Sequence, residues 1–266
     1  MCVSKEKTNA LIPAATIMLV RDSADGQEVF MVVRHHQIDF ASGALVFPGG
    51  KLDAGDQDPA IRARCDCDAA VGDDELAIQV AAIREAFEEC GVLLARPKGD
   101  DRFVDAARLE KLDAWRDRLH KGKASMVEFL EQEDLHLACD ALIPFAHWIT
   151  PSMMPRRFDT YFYLAAAPAD HVPVHDGHEN VDSIWIRPAD ALKDAEEKRR
   201  TVIFPTRMNI EKLGRSGNVA DAIAAARASK VVTVEPKMGE KEGVKMLFIP
   251  EEADYCVTEE RLDQIN

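Results

Sequence analysis

The chain has 266 residues, with 33 basic against 47 acidic side chains and a net charge of -14. It is long enough to bury a full core and too acidic for a general nucleic-acid or anionic-membrane surface. Its six cysteines lack the spacing of a small disulfide-rich secreted domain, residues 1–10 carry no long apolar stretch, and no run reaches the roughly 18 apolar residues of a membrane span, so a reduced, cytoplasmic protein is expected.

Residues 14–20 and 29–34 are short apolar runs separated by a turn-forming cluster at 22–27, which predicts a hairpin. Arg34, His35 and His36 close the second strand and face either a ligand or solvent. A third strand over 44–47 leads into Pro48-Gly49-Gly50-Lys51, where a glycine pair after an apolar strand marks a close approach of backbone to another group. Residues 57–74, with Pro59 and several aspartates, predict a surface excursion; within it Cys65 and Cys67 form a C-x-C that lacks a second ligand pair for zinc.

A helix is predicted over 74–90, with Gly91 as its left-handed stop. Leu76, Val80, Ile83, Phe87 and Cys90 form its apolar face, and Glu85, Glu88 and Glu89 fall within an arc of roughly 100° on the other side. Burying each large apolar side chain contributes about 1.5–3 kcal/mol, whereas each like-charge neighbour pair costs a few tenths, so the core face can hold the acids together. The acid face is either a divalent-cation site or a solvated surface. Hard cations such as Mg2+ or Mn2+ prefer such oxygen ligands, and a phosphate-bearing ligand would need one in so acidic a chain.

Residues 101–134 show helical periodicity, with Ser125 as the N-cap of a second helix, and read as a helical insert. Strand-like segments at 141–149 and 160–165 flank a loop with Arg156 and Arg157, which could grip phosphate or, for one of them, pair with Asp159. Met153 and Met154 in the same loop are either pocket lining or filler. His171, His175 and His178 form no convincing zinc set. A strand at 183–186, a helix opened by Pro188, a helix over 219–228 and a closing pair of strands at 231–234 and 245–249 complete the reading.

Arg84-Glu85-Ala86-Phe87-Glu88-Glu89-Cys90-Gly91-Val92, with the glycine loop upstream, resembles the Nudix box, G-x5-E-x7-R-E-U-x-E-E-x-G-U with U a bulky apolar residue, whose family hydrolyses nucleoside diphosphates linked to another moiety. Counted from Gly50, the consensus glutamate falls at Asp56 and the consensus arginine at position 64, so Arg84 implies about 20 extra residues inside the box. Ala86 also stands where a larger apolar residue is usual.

The resemblance implies an α/β fold, a Nudix-type α-β-α sandwich around a mixed sheet over residues 12–215, with the in-box insertion at 57–74, the helical insert at 101–134, and a helix-and-strand extension over 216–266 packed on the same domain. It also implies that Glu85, Glu88 and Glu89 ligate Mg2+ or Mn2+, with a loop carbonyl at Gly49 or Gly50, and that Arg84 holds a carboxylate in place. Glu179, six residues before Trp185, is a candidate added ligand or general base, or an ordinary loop glutamate. Arg34, Lys51, Arg156 and Arg157 are the candidate substrate-binding side chains.

The loop at 47–56, the segment 148–160, the expanded box and Phe204-Pro205-Thr206 look like the subgroup of animal peroxisomal coenzyme A diphosphatases and their bacterial relatives. That makes coenzyme A or acyl-CoA the first expected substrate, with NADH, ADP-ribose or another nucleoside diphosphate derivative next. A catalytically silent Nudix-like binding or regulatory domain is the alternative from another class, and messenger-RNA cap hydrolysis is disfavoured by the acidity. The helical insert and the tail after residue 215 are a candidate homodimer surface.

Overall fold

Residues 11–23 carry apolar side chains at consecutive positions rather than alternate ones, and a strand of that kind must be covered on both faces. The computed structural model describes residues 10–35, 43–175, 177 and 180–264, and in it β1 (Leu11–Ser23) is such a strand. It forms the expected hairpin with β2 (Gly26–Arg34). The chain continues through β3 (Leu45–Val46), β4 (Gly49–Lys51), α1 (Asp73–Cys90), β5 (Ala95–Pro97), α2 (Ala106–His120), α3 (Met126–Gln132) and β6 (Leu135–Leu137). Then come β7 (Ile143–Ile149), β8 (Arg157–Ala166), β9 (Asn180–Ile186), α4 (Pro188–Glu196), α5 (Phe204–Leu213) and α6 (Val219–Ala228), followed by β10 (Thr233–Val234), β11 (Lys237–Lys241), β12 (Val244–Phe248) and β13 (Glu259–Arg261).

The main sheet runs β10-β7-β8-β1-β2-β3, with β4 on β1 and β9 on β2. Its centre is the parallel pair β1 and β8, in register from Leu11 with Arg157 to Val20 with Ala166, while β7 with β8 and β1 with β2 are antiparallel, so the sheet is mixed. Side chains alternate across it. Ile17, Leu19, Phe30 and Val32 pack with α1 and the helical insert on one face. Met18, Val20, Val29 and Met31 pack with residues of α4, α5, α6 and the tail on the other. This is the expected α-β-α sandwich. No helix among the described residues is long and apolar enough to cross a membrane.

α1 starts one residue before its expected position and ends at Cys90, where Gly91 is left-handed (φ 68°) and its N–H donates to the Phe87 carbonyl at 2.9 Å. Asp73, Asp74 and Glu75 in the first turn complement the helix dipole. Ser125 caps α3 as expected, accepting from the Glu128 N–H at 3.0 Å.

Three segments add to or depart from the sequence reading. Residues 57–74 are mostly exposed, but a 3-10 turn at Ile61–Arg64 buries Ile61 in the core, and Arg62 pins the segment by donating to the Val71 carbonyl and to Asp73, both at 2.8 Å. The closing strands do not pair with each other. β10 runs parallel to β7 at the sheet edge, whereas β12 sits between β11 and β13 in a separate three-stranded sheet. Finally, Phe204-Pro205-Thr206 opens a helix, α5, that local periodicity did not announce.

Candidate active site

Helical spacing brings Arg84, Glu85, Glu88 and Glu89 to one side of α1, and contacts from distant segments fix their positions. Arg84 is buried and donates both arms of a fork to Asp56, Nε to Oδ1 at 2.9 Å and Nη2 to Oδ2 at 3.0 Å. Asp56 is fully buried, and its Oδ2 also accepts the Asp53 N–H at 2.8 Å. The shorter acid at the consensus glutamate position therefore still clamps the arginine. Arg84 Nη2 also reaches the Lys51 carbonyl at 2.9 Å and Nη1 reaches Glu85 Oε1 at 2.9 Å, with Glu88 Oε1 at 3.5 Å. Burial opposes the charge on Arg84, but the Asp56 bond and the surrounding carboxylates raise its pKa above the ordinary value.

The glycine pair allows the loop to lie against these acids. The Gly49 N–H donates to Glu89 Oε2 at 3.1 Å. A β-carbon on Gly49 would stand 2.4 Å from the Ala15 carbonyl oxygen, and one on Gly50 would stand 2.3 Å from Glu85 Oε1. Backbone contact restricts Gly49 to glycine, whereas a side chain at Gly50 would have to displace the Glu85 carboxylate.

Glu88 is 8 % exposed, and burial pushes its carboxyl up to about 7; the Arg84 charge lowers it in part, and Asp53 and Asp56 raise it further. Asp56, Glu85 and Glu88 thus surround one guanidinium that is already committed to Asp56, and Glu89 adds a further carboxylate held by the Gly49 N–H. Their chemistry and excess charge fit a hard divalent cation. Among the described residues no three His, Cys, Asp or Glu side chains stand at the spacing of a ready-made metal cage. The fit therefore lies in charge and donor type, and binding must re-aim the Glu85 and Glu89 carboxylates from their present partners. Because Glu88 must lose its proton to ligate, divalent-cation affinity is expected to rise up to about ten-fold per pH unit below pH 7 and to level off above it. Calorimetric titration with Mn2+ at pH 6, 7 and 8 measures this; affinity independent of pH would remove Glu88 from the ligand set.

The acids open into a cleft of about 940 Å³. Gly49, Gly50, Arg84, Glu85 and Glu88 line it, together with the expected Lys51 and Arg34, and with His35. Arg156 also lines it, with its guanidinium 5.2 Å from the Phe158 ring centroid. Arg157 does not: it donates to the Thr150 carbonyl at 3.0 Å and to Glu235 at 2.6 Å, so of the two candidate arginines only Arg156 lines the cleft. Asp159 pairs with His147 at 2.5 Å rather than with either arginine. Glu179, His36 and His178 lie outside the described residues. Trp185 packs on Phe30, with Arg21 over its ring at 4.3 Å.

Two residues near the acids escaped the sequence reading. His120, at the end of α2, approaches Glu88 Oε2 to 3.7 Å, and Arg116 Nη2 donates to the Glu88 carbonyl at 3.2 Å. The helical insert thus reaches the acid cluster. Its only sequence signal is a histidine in the last helical turn, which is usual for dipole reasons alone. Phe204, Pro205 and Thr206 line the cleft from the first turn of α5, which gives that motif a place in the site.

An arginine-braced glutamate helix behind a glycine loop, on one face of a mixed sheet, is the arrangement of a Nudix box. The family profile of the NUDT19 Nudix domain matches residues 61–213, more than half of the chain, and the chain belongs to this family. It is 27% identical over 237 residues to the human acyl-coenzyme A diphosphatase NUDT19, covering 74% of this chain and 63% of the relative. The Xenopus laevis protein of the same name is 23% identical over 232 residues (73% and 61%), and the Caenorhabditis elegans putative nudix hydrolase 7 is 30% identical over 200 residues (73% and 57%). The chain thus spans about 60% of the length of these curated relatives. Among solved structures, a NUDIX hydrolase from Alicyclobacillus acidocaldarius superposes with a TM-score of 0.67 at 28% identity, covering 82% of this chain and 97% of that one.

Proposed function

We propose that the protein is a divalent-cation-dependent diphosphatase that cleaves the pyrophosphate of coenzyme A or acyl-CoA. The observation that carries the reading is the set of Glu85 with the buried Glu88 and Glu89 beside the Gly49-Gly50 loop, braced by the Arg84–Asp56 fork, with Glu85 and Glu88 lining a cleft large enough for an elongated ligand. The names of the curated relatives support the choice of substrate.

Glu85, Glu88 and Glu89 would hold Mg2+ or Mn2+, with a loop carbonyl at Gly49 or Gly50 and Glu179 as further candidate ligands. When bound, such an ion neutralises diphosphate charge, polarises a phosphoryl oxygen and acidifies a water for attack on phosphorus. The chain's own contributions follow from its geometry. Arg84 keeps Glu85 and Glu88 oriented while remaining charged. The glycine loop lets a phosphate come close to backbone. Lys51, Arg34 and Arg156 line the same cleft and balance the diphosphate charge. A carboxylate of this set, or Glu179, would take the proton from water.

A phosphate-release screen over CoA, acyl-CoA, NADH, ADP-ribose, diadenosine polyphosphates and nucleoside triphosphates with Mg2+ and Mn2+ tests the reading. Cleavage of CoA esters to a phosphopantetheine product is the expected result, and a blank across all of them would leave a binding domain. Arg156→Ala is expected to raise KM about ten-fold with little change in kcat, as for loss of uniform substrate binding. Arg157→Ala is expected to spare KM and lower the melting temperature, because it cuts the tie between β8 and Glu235. The opposite assignment in steady-state kinetics and thermal melts would return the phosphate contact to Arg157.

A further inference from the structure

Beyond residue 213 the chain leaves the segment matched by the family profile, yet it builds one wall of the cleft. Met238 on β11 and Leu247 on β12 are direct cross-strand partners, so their side chains lie together on one face of the small sheet. Both line the cleft, as do Pro236 before β11 and Leu262 after β13. Met153 and Met154, from the β7–β8 connection, line it too.

Seven large apolar side chains are exposed among the described residues, and three of them are methionines: Met153 (49%), Met154 (43%) and Met238 (45%). All three lie in this cleft, and the other four do not. Exposed apolar side chains gathered in a site that acids and arginines also line mark a ligand with an apolar part. Unbranched, polarisable methionine adapts to a flexible chain, whereas a planar nucleobase is more often met by aromatic stacking and fixed hydrogen bonds.

The wall is also held in place. Trp148 Nε1 donates to the Tyr255 hydroxyl at 2.9 Å, that hydroxyl donates to Asn209 Oδ1 at 2.7 Å, and Lys212 Nζ donates to the Ala253 carbonyl at 3.1 Å. Trp148 itself lines the cleft, so the anchor of the tail and the wall of the site share a residue.

We infer that the C-terminal three-stranded sheet is a specificity element that takes the hydrocarbon chain of a fatty acyl thioester of coenzyme A along Met153, Met154 and Met238. This rests on the diphosphatase reading and makes acyl-CoA, rather than free CoA, the preferred substrate. Buried methylenes each add to binding, so an eight-carbon chain lying partly on the wall gives at least a ten-fold preference.

The test compares kcat/KM with Mg2+ for CoA and octanoyl-CoA, and Kd for the same pair in EDTA, using the full chain and two variants, Met238→Gln and the Met153→Gln/Met154→Gln/Met238→Gln triple. These side chains are exposed, so wild-type melting curves are expected. Octanoyl-CoA should be favoured ten-fold or more in the wild type, with the ratio falling toward one in the triple variant and part of the way in the single one. Equal constants for the two ligands in the wild type, or a ratio that survives the triple variant, would overturn the inference. So would loss of a dimer in the variants by sedimentation with the ratio unchanged, which would reassign the methionines to self-association. A chain-length effect on Kd without turnover of either ligand would sink the diphosphatase reading and keep the apolar wall; turnover of both at equal efficiency would do the reverse.

Discussion

Glu88→Gln and Glu89→Gln should each lower turnover by about 100- to 1000-fold under limiting Mg2+ while leaving a folded protein, the size of effect seen when one member of a preorganised electrostatic set is lost. The neutral amide keeps the shape of the side chain but cannot ligate a hard cation as a carboxylate does. Stability separates this result from misfolding and has a definite sign. The folded-state pKa of Glu88, about 7, lies above its ordinary value of 4.5, so folding favours the protonated form. The stabilisation is fully present below pH 4.5 and is lost as pH rises through 7. Over that window the metal-free wild type should lose stability relative to Glu88→Gln by an amount on the order of 3 kcal/mol, and excess Mg2+ should restore it. Urea denaturation at pH 5 and pH 8, with and without the metal, measures both. Full turnover in both variants at low Mg2+ would remove these carboxylates from the site.

The second large effect belongs to Arg84. Arg84→Ala strands Asp56, which is fully buried, and withdraws the positive charge nearest Glu85 and Glu88. Removing one partner of a buried pair costs about 3–5 kcal/mol, because the other is left uncompensated. Arg84→Lys should recover only part of this, since an ammonium cannot reproduce the fork on Asp56 or also reach the Lys51 carbonyl. The Arg84→Met/Asp56→Leu double variant should regain stability but stay inactive, which distinguishes positioning of the glutamates from holding the fold together. A loss below about 0.5 kcal/mol for Arg84→Ala in equilibrium denaturation would show that the fork is not a brace.

Asp56 shows how a departure from a motif resolves in three dimensions. It sits on a 3-10 turn at Ala54–Gln57, close enough to Arg84 for the shorter acid to make both hydrogen bonds. The inserted residues after it do not push the helix away, because Ile61 anchors their turn in the core. In the loop after β7, spacing gave Arg156 and Arg157 equal claims on phosphate. Glu235, 78 residues beyond Arg157, decides between them.

Local pattern alone determined the α1 helix with its apolar and acidic faces, the glycine stop, the β1–β2 hairpin and the glycine loop, because periodicity, capping and turn chemistry act over a few residues. The family resemblance carried the sandwich around them. Tertiary structure decided which arginine enters the cleft, how Asp56 holds Arg84, that His120 approaches Glu88, and that the tail walls the site. Those contacts join residues from 28 to 107 positions apart, such as Arg84 with Asp56 and Trp148 with Tyr255, and no short-range preference encodes which distant partners the folded core will bring together.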